Sequence, residues 1–293
     1  MKGIILAGGT GSRLFPITQA TSKQLLPIYD KPMIYFPLSV LMYAGITDIL
    51  IITNEIDVPR FSALLQDGSR FGISISYAVQ EEPKGIADAF KVGKHFIGND
   101  SVSLVLGDNI FHGPNMSTLF GTMAQLTSGG VVFGYEVSDP ERYGVLDLDD
   151  DNHVVNIIEK PKKAPSPFAV TGLYAYDNTV IDVAEGLEPS ARGELEITDV
   201  NRYYLNQGKL QVAFLDRGYA WLDTGTHEAL HHASSYVQAV QERQGIQIAC
   251  LEEIAYAKGL ITEEVLAKAA ETYASSDYGS YLKKLLNPSR VNL

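Results

Sequence analysis

The first residues that could do chemistry sit in a tight glycine turn, Ala7-Gly8-Gly9-Thr10-Gly11-Ser12-Arg13-Leu14, followed by a second cation in Ser22-Lys23-Gln24-Leu25-Leu26-Pro27. Glycines this dense let backbone N–H groups approach a phosphate chain closely. A plain strand-to-loop turn has no use for Arg13, whose planar, permanently charged fork suits phosphate oxygens, nor for Lys23 nearby. The turn is not a P-loop, because it lacks the Gly-Lys-Ser/Thr ending, and Leu14 stands where a dinucleotide fingerprint wants glycine or alanine. Two carboxylates stand in comparable places. Asp108 follows an apolar run and a glycine, and Asp223 follows Trp221-Leu222 in a second tight Gly/Thr turn. Taken alone, either reads as an aspartate capping its turn.

The elements that must hold these residues alternate along the chain. Short β-branched apolar runs at 3–7, 48–52, 74–78 and 102–106 read as strands, with helices near 32–43, 58–65 and 86–96 between them. The pattern predicts βαβ units and hence an α/β fold: a Rossmann-like, mainly parallel mixed sheet flanked by helices. Ligands of such sheets bind at the carboxyl ends of the strands, where the glycine turn and Asp108 fall. Strands dominate at 131–136, 145–149, 154–159 and 169–176, and are expected to extend the sheet and build a second wall of the cleft. After Trp221 the pattern turns helical, with Val265, Leu266, Ala269, Ala270 and Tyr273 at helical spacing. No repeat or linker interrupts the chain, so the expectation is a core over 1–226 and a helical C-terminal region, 227–293, that is not an independent domain. That region reads equally as an assembly or regulatory layer and as helices that merely cap the sheet. Its apolar residues and Tyr256, Tyr273, Tyr278 and Tyr281 suggest a surface that a partner would cover.

A competing motif lies at its start. His227-Glu228-Ala229-Leu230-His231 fits the zincin pattern, with Glu252 or Glu253 as possible third ligand. Thr226 is equally placed to cap an ordinary helix there, and Ser234 stands where the longer metzincin pattern requires glycine. Cys250 is the single cysteine, so no disulfide or cysteine zinc cluster forms within the chain, and its apolar setting suits a small buried residue.

Bulk properties narrow the function classes. With 293 residues, 45% of them hydrophobic, the chain can bury a sizeable core. Its 35 acidic against 23 basic side chains give a net charge of −12, which argues against generic nucleic-acid binding through the phosphate backbone. Any phosphate ligand must be caught locally, by a few cations and backbone N–H groups. The opening apolar run is too short for a signal peptide, and no stretch approaches a membrane span, so a cytoplasmic location without membrane or nucleic-acid partners is expected.

The glycine turn and the Lys23 segment together resemble the signature of nucleoside-diphosphate-sugar pyrophosphorylases, with the thymidylyltransferase branch nearest. Matching segments continue in order: Leu106-Gly107-Asp108-Asn109, Asp139-Pro140-Glu141-Arg142-Tyr143-Gly144-Val145, Glu159-Lys160-Pro161, Val170-Thr171-Gly172-Leu173-Tyr174, Arg192-Gly193-Glu194-Leu195-Glu196-Ile197-Thr198-Asp199 and Trp221-Leu222-Asp223-Thr224-Gly225-Thr226. Family members often carry Ser, Thr and His or Tyr where this chain has Thr10, Ser12 and Phe15, changes that keep a hydroxyl and a ring.

The resemblance implies a Mg²⁺-dependent attack of glucose 1-phosphate on the α-phosphorus of dTTP, giving dTDP-glucose and pyrophosphate. Such a step is mostly positioning and charge neutralisation. It implies Arg13, Lys23 and Lys160 as catalytic cations, and a nucleotide site formed by Leu6, Gly8, Gly9, Gly11, Gln24, Gln80, Gly85 and Asp108, with Arg192 reaching the phosphates. Tyr143, Gly144, Glu159, Lys160 and Val170 would form the sugar-phosphate site, and Asp108 and Asp223 would hold the metal. It further implies a homotetramer regulated by a downstream nucleotide sugar near His112, Gly113 and Glu253. Four other readings compete: a UTP-preferring uridylyltransferase, a non-catalytic nucleotide-sugar sensor, the zinc metalloprotease of the His227 motif, and a glycosyltransferase, whose usual Asp-x-Asp metal motif Gly107-Asp108-Asn109 does not supply. A sensor would be expected to have lost one of Arg13, Lys23, Asp108, Lys160 or Asp223, and all five are present.

Overall fold

The computed structural model describes residues 1–9 and 11–287; Thr10 of the glycine turn and 288–293 lie outside the described residues. In chain order the elements are β1 (Lys2–Leu6), β2 (Pro27–Ile28), β3 (Lys31–Pro32), α1 (Tyr35–Tyr43), β4 (Asp48–Thr53), α2 (Val58–Leu65), β5 (Ser74–Val79), α3 (Asp88–Val92), α4 (Lys94–Ile97), β6 (Val102–Leu106), β7 (Asn109–His112) and α5 (Met116–Ala124). There follow β8 (Gly130–Glu136), β9 (Gly144–Leu148), β10 (Val154–Glu159), β11 (Phe168–Tyr176), α6 (Val180–Glu185), α7 (Ile197–Asn206), β12 (Leu210–Phe214), β13 (Ala220–Asp223), α8 (His227–Gln244), α9 (Leu251–Ala257), α10 (Glu263–Thr272) and α11 (Asp277–Leu285).

The predicted strands of the first half appear within a residue of their expected bounds. β5, β4, β1 and β6 lie side by side and parallel. Such central strands are covered on both faces, which is why β4 reads as an almost unbroken apolar run. Beyond β6 the sheet becomes antiparallel. β11 switches neighbours along its length, with Ala169 paired to Val145 of β9 and 173–176 paired to β6, while β8 lies along its other edge. The divergence of β6 from β9 leaves the middle of β11 uncovered from the side, and a cleft opens there.

Two sequence expectations shift. The helix expected over 32–43 starts at Tyr35, because Lys31 and Pro32 are drawn into a small ladder with β2. The helix expected over 86–96 is two short ones that meet at Gly93.

The C-terminal region folds back on the core. Leu251, Ile254, Ala255, Leu266, Ala270, Leu282 and Leu285 belong to the same apolar cluster as Phe36's neighbours Tyr35 and Leu38 on α1 and Ile5 and Ile51 of the sheet. Tyr278 donates to Glu252, Tyr281 donates to Glu253 over 2.7 Å, and Arg70 donates to the Tyr273 hydroxyl over 3.3 Å. These contacts use much of the tail's apolar surface within the chain, but Val265 stays 38% exposed and Tyr256, Tyr273, Tyr278 and Tyr281 are only half-buried. Among the described residues no helix is long and apolar enough to cross a membrane.

Candidate active site

Two cavities open side by side at the carboxyl ends of β1 and β6. One, of 350 Å³, is lined by Gly8, Gly9, Gly11, Lys23 and Gln24; the other, of 460 Å³, by Tyr143, Gly144, Glu159, Lys160 and Val170. Arg13, Asp108 and Glu194 line both, so the two form adjoining chambers with a shared wall.

The first chamber is built by the glycine turn. Gly9 and Gly11 have φ of 100° and 59°, a region open to glycine at little cost, and this lets the chain turn back on itself directly after β1. Gln24 is buried and accepts a 2.7 Å hydrogen bond from Ser22. Leu6, Gln80 and Gly85 line neither cavity. Leu6 ends β1 beneath the turn, and Gln80 packs against Gly8 while donating to Asp88 over 2.8 Å. The segment carrying Gly85 is tied to the Leu195 backbone through a 2.7 Å bond from Leu195 N–H to the Lys84 carbonyl.

Asp108 stands on the wall the chambers share, and Asp223 lines the second chamber. Asp108 leaves β6, and the short antiparallel ladder of β7 with β13 sets Asp223 opposite Asn109. Lys23 Nζ lies 2.6 Å from Asp108 Oδ2, and Asn109 Nδ2 donates to Asp108 Oδ1 over 2.9 Å. Burial works to raise the Asp108 pKa, but the Lys23 ammonium and these hydrogen bonds outweigh it and hold the carboxyl below its ordinary value. Asp223 moves the other way. Burial and the negative charge of Asp108 push it up, against the pull of Lys23, Arg142 and Arg13. Two carboxylates that repel across a cleft, one of them resisting ionisation, fit a site that takes a divalent cation between them. Among the described residues no cluster of three metal-ligating side chains exists, so such an ion would draw its remaining ligands from water and substrate oxygens.

The second chamber gathers residues from β9, β10, β11 and α7. Glu159, the last residue of β10, accepts from the Thr198 hydroxyl over 2.6 Å and from Arg192 over 3.1 Å. Arg192 is also paired with Glu194 and Glu196, which makes it a strut holding three glutamates. Lys160 has φ of 41°, unusual for a residue with a side chain and more so before proline. Its N–H donates to the Tyr143 carbonyl over 2.9 Å, which secures this strained turn, and its ammonium stands 3.7 Å from Glu159. Strain of this kind collects at functional sites.

The site also contains groups that the sequence reading left without a role. Arg142 bridges Asp139 and Asp223 at 2.8 and 3.2 Å. Asn109 is an anchor: its Oδ1 accepts from Gly172 N–H over 3.1 Å and from the Trp221 indole over 2.7 Å. Both residues lie in segments already quoted for the resemblance, but which atoms they join is a matter of long-range packing. Asn201, on the inward face of α7, had no sequence signal beyond its spacing from Thr198.

His227 and His231 are exposed on α8, while Glu252 is buried against Tyr278 and Glu253 is bound to Tyr281. Thr226 caps α8, its hydroxyl accepting from Ala229 N–H over 3.2 Å. The zincin ligand set does not assemble among the described residues. His112, Gly113 and Glu253 do come together, lining a separate cavity of 420 Å³ between β7 and the C-terminal helices.

Comparison with known proteins agrees with this geometry. The model of the nucleotidyl transferase family matches residues 2–240. The chain is 58% identical to a glucose-1-phosphate thymidylyltransferase of Neisseria meningitidis serogroup A over 98% of its own length and 99% of the relative's. It is 53% identical to the protein of that name from Xanthomonas campestris pv. campestris, over 99% of each. Among solved structures, a Bacillus anthracis protein assigned as a glucose-1-phosphate thymidylyltransferase, crystallised with sucrose, superposes with a TM-score of 0.75 at 44% identity, covering 80% of this chain and 94% of that one. With the family model spanning most of the sequence and close relatives matching it almost end to end, the chain belongs to the nucleotidyl transferase family, among relatives named glucose-1-phosphate thymidylyltransferase.

Proposed function

We propose that the chain transfers a thymidylyl group from dTTP to glucose 1-phosphate, releasing pyrophosphate and forming dTDP-glucose. The observation that carries the reading is the pair of chambers meeting at Arg13 and Asp108, one bounded by a glycine turn and the other by Glu159 and Lys160. Backbone N–H groups of Gly8, Gly9 and Gly11, with Arg13, hold the triphosphate, and Lys160 orients the phosphate of the sugar. An oxygen of that phosphate attacks the α-phosphorus as the bond to the leaving pyrophosphate breaks. The attacking oxygen is already anionic, so no general base is required. Arg13 neutralises charge building on the leaving group, a preorganised contribution of the kind that dominates such steps.

The ion pairs at the site already engage Lys23, Arg142 and Arg192. Arg13 is in none of them among the described residues, and Lys160 only in the loosest. These two are therefore the cations most available to incoming phosphates. Asp108 and Asp223 would hold Mg²⁺, whose chemistry is to neutralise phosphate oxygens and draw the two substrates together. Purified protein with Mg²⁺, glucose 1-phosphate and each common triphosphate is expected to release pyrophosphate with dTTP. Release with ATP or GTP and none with dTTP or UTP would overturn the pyrimidine assignment, and a strong preference for UTP would reassign the nucleotide.

The 420 Å³ cavity supports a second, regulatory site for a nucleotide sugar. Burial pushes Glu253 up to about 7, so it divides between its acid and carboxylate forms near physiological pH, while desolvation lowers His112 and keeps its imidazole neutral there. A ligand there acts only through different affinities for two states of the enzyme, and must weaken or strengthen substrate binding reciprocally.

A further inference from the structure

Asn201 is 1% exposed, lines the 460 Å³ chamber, and carries a buried amide nitrogen with no hydrogen-bond partner among the described residues. Buried donors are nearly always satisfied, so an exception at the wall of a ligand chamber calls for an explanation. Among the described residues the two other unpaired buried polar side-chain atoms, Arg70 Nε and Thr171 Oγ1, belong to residues that do not line this chamber. Two neighbouring polar side chains on the chamber wall, Thr198 and Asn109, are paired within the protein. Thr198 donates to Glu159, and Asn109 is engaged at both ends of its amide.

The Asn201 amide is also held in a defined orientation. Its Oδ1 accepts from the hydroxyl of Tyr176. That ring lies parallel to Tyr204 at 5.2 Å and to Tyr174 at 6.4 Å, and meets Phe90 edge-on at 5.6 Å, so its hydroxyl has little freedom. With the carbonyl end occupied, the NH₂ end is the one left over. Ile197, Thr198 and Asn201 fall on one face of α7 and all line the chamber, so the helix presents the amide beside the Glu159–Thr198 pair.

We propose that Asn201 is a specificity-determining residue for the sugar 1-phosphate, donating from Nδ2 to one oxygen substituent of the sugar ring, with Tyr176 as the positioning residue that sets the amide. This rests on the second chamber being the sugar-phosphate site. A protein donor left unpaired by an analogue that lacks its acceptor discriminates strongly against that analogue, far more than a lost apolar contact would.

The test first establishes wild-type turnover of glucose 1-phosphate with dTTP. It then compares Asn201→Leu, which removes the donor at similar size, and Asn201→Asp on glucose 1-phosphate and its 2-, 3-, 4- and 6-deoxy analogues. The expected result is a KM for glucose 1-phosphate raised about tenfold, as for loss of one hydrogen bond, with the KM for dTTP unchanged. One deoxy analogue, the one lacking the partner oxygen, should show no added penalty in the variants. Tyr176→Phe keeps the stacked ring and removes only the hydroxyl, and should shift KM in the same analogue-selective way; it carries the test if the Asn201 variants do not fold. An equal penalty on every analogue, or an unchanged KM in a folded variant, overturns the role of Asn201 and leaves the reaction standing. Lack of wild-type turnover with glucose 1-phosphate overturns the reading beneath it.

Discussion

Lys23 and Arg13 border the same chamber, yet their surroundings differ. Lys23 is largely buried and sits 2.6 Å from Asp108, whereas Arg13 is exposed and, among the described residues, outside the ion pairs of the site. Removing Lys23 leaves a partly buried carboxylate without its counter-ion, a change that destabilises proteins. Lys23→Met is therefore expected to lower the melting temperature as well as turnover, while Arg13→Ala lowers turnover on the order of 10²–10³-fold, the usual effect of losing one preorganised donor, without a comparable thermal shift. Calorimetry beside steady-state kinetics checks the pair; equal thermal shifts would show that the ion pair is not what separates them. Lys160→Ala should mainly raise the KM for glucose 1-phosphate, and an unchanged value would make its pairing with Glu159 a surface feature. Asp223→Asn should raise the Mg²⁺ concentration needed for half-maximal rate, and chelation should abolish turnover in the wild type. An unaltered metal requirement would remove Asp223 from the metal site. The residue types at these positions were all legible in the sequence. Which cation each carboxylate engages was not, because Lys23 and Asp108 are 85 positions apart and meet only through the parallel pairing of β1 with β6.

The ladder of β7 and β13 and the switch in β11 decide where the two aspartates stand. Asn109 joins them by binding Asp108, Gly172 and Trp221 at once. Gly172 is needed there because a Cβ would run into Asn109 Oδ1 and come within 2.7 Å of Leu106. Gly172→Ala is thus expected to push the anchor aside, destabilising the fold by about 1–3 kcal/mol and raising the Mg²⁺ requirement through a displaced Asp108. Denaturant titration together with metal-dependent kinetics reads both effects; a stability loss with normal metal dependence would show that Asn109 does not set Asp108. The short β-branched apolar runs of β1, β4, β5 and β6 could be read directly from the sequence. β7 and β13 could not, since each has four residues and its partner lies more than 100 positions away.

Over the whole molecule the C-terminal helices share the core of the nucleotidyl transferase fold, with α9 packed on α1. Their tyrosines close on Glu252, Glu253 and Arg70 within the chain. A homotetramer is still expected from the resemblance, and the chain of 32.0 kDa should sediment at four times that mass. A single-chain mass, with inhibition by nucleotide sugars that is purely competitive with dTTP, would remove both assembly and the separate regulatory cavity.

By itself the sequence determined the α/β pattern, the chemical inventory and the family resemblance, because these are set by local periodicity and by residue types in a fixed order. Only the tertiary structure decided which charges are spent among the described residues, that most of the tail's large apolar residues are buried against the core, that His227 and His231 gather no third ligand among the described residues, and that Asn201, which lines the second chamber, has an unpaired amide nitrogen. The reason is physical. Pairing, burial and desolvation depend on distances between groups far apart in the chain, and those distances exist only once β6, β11 and β13 have come together around Asn109.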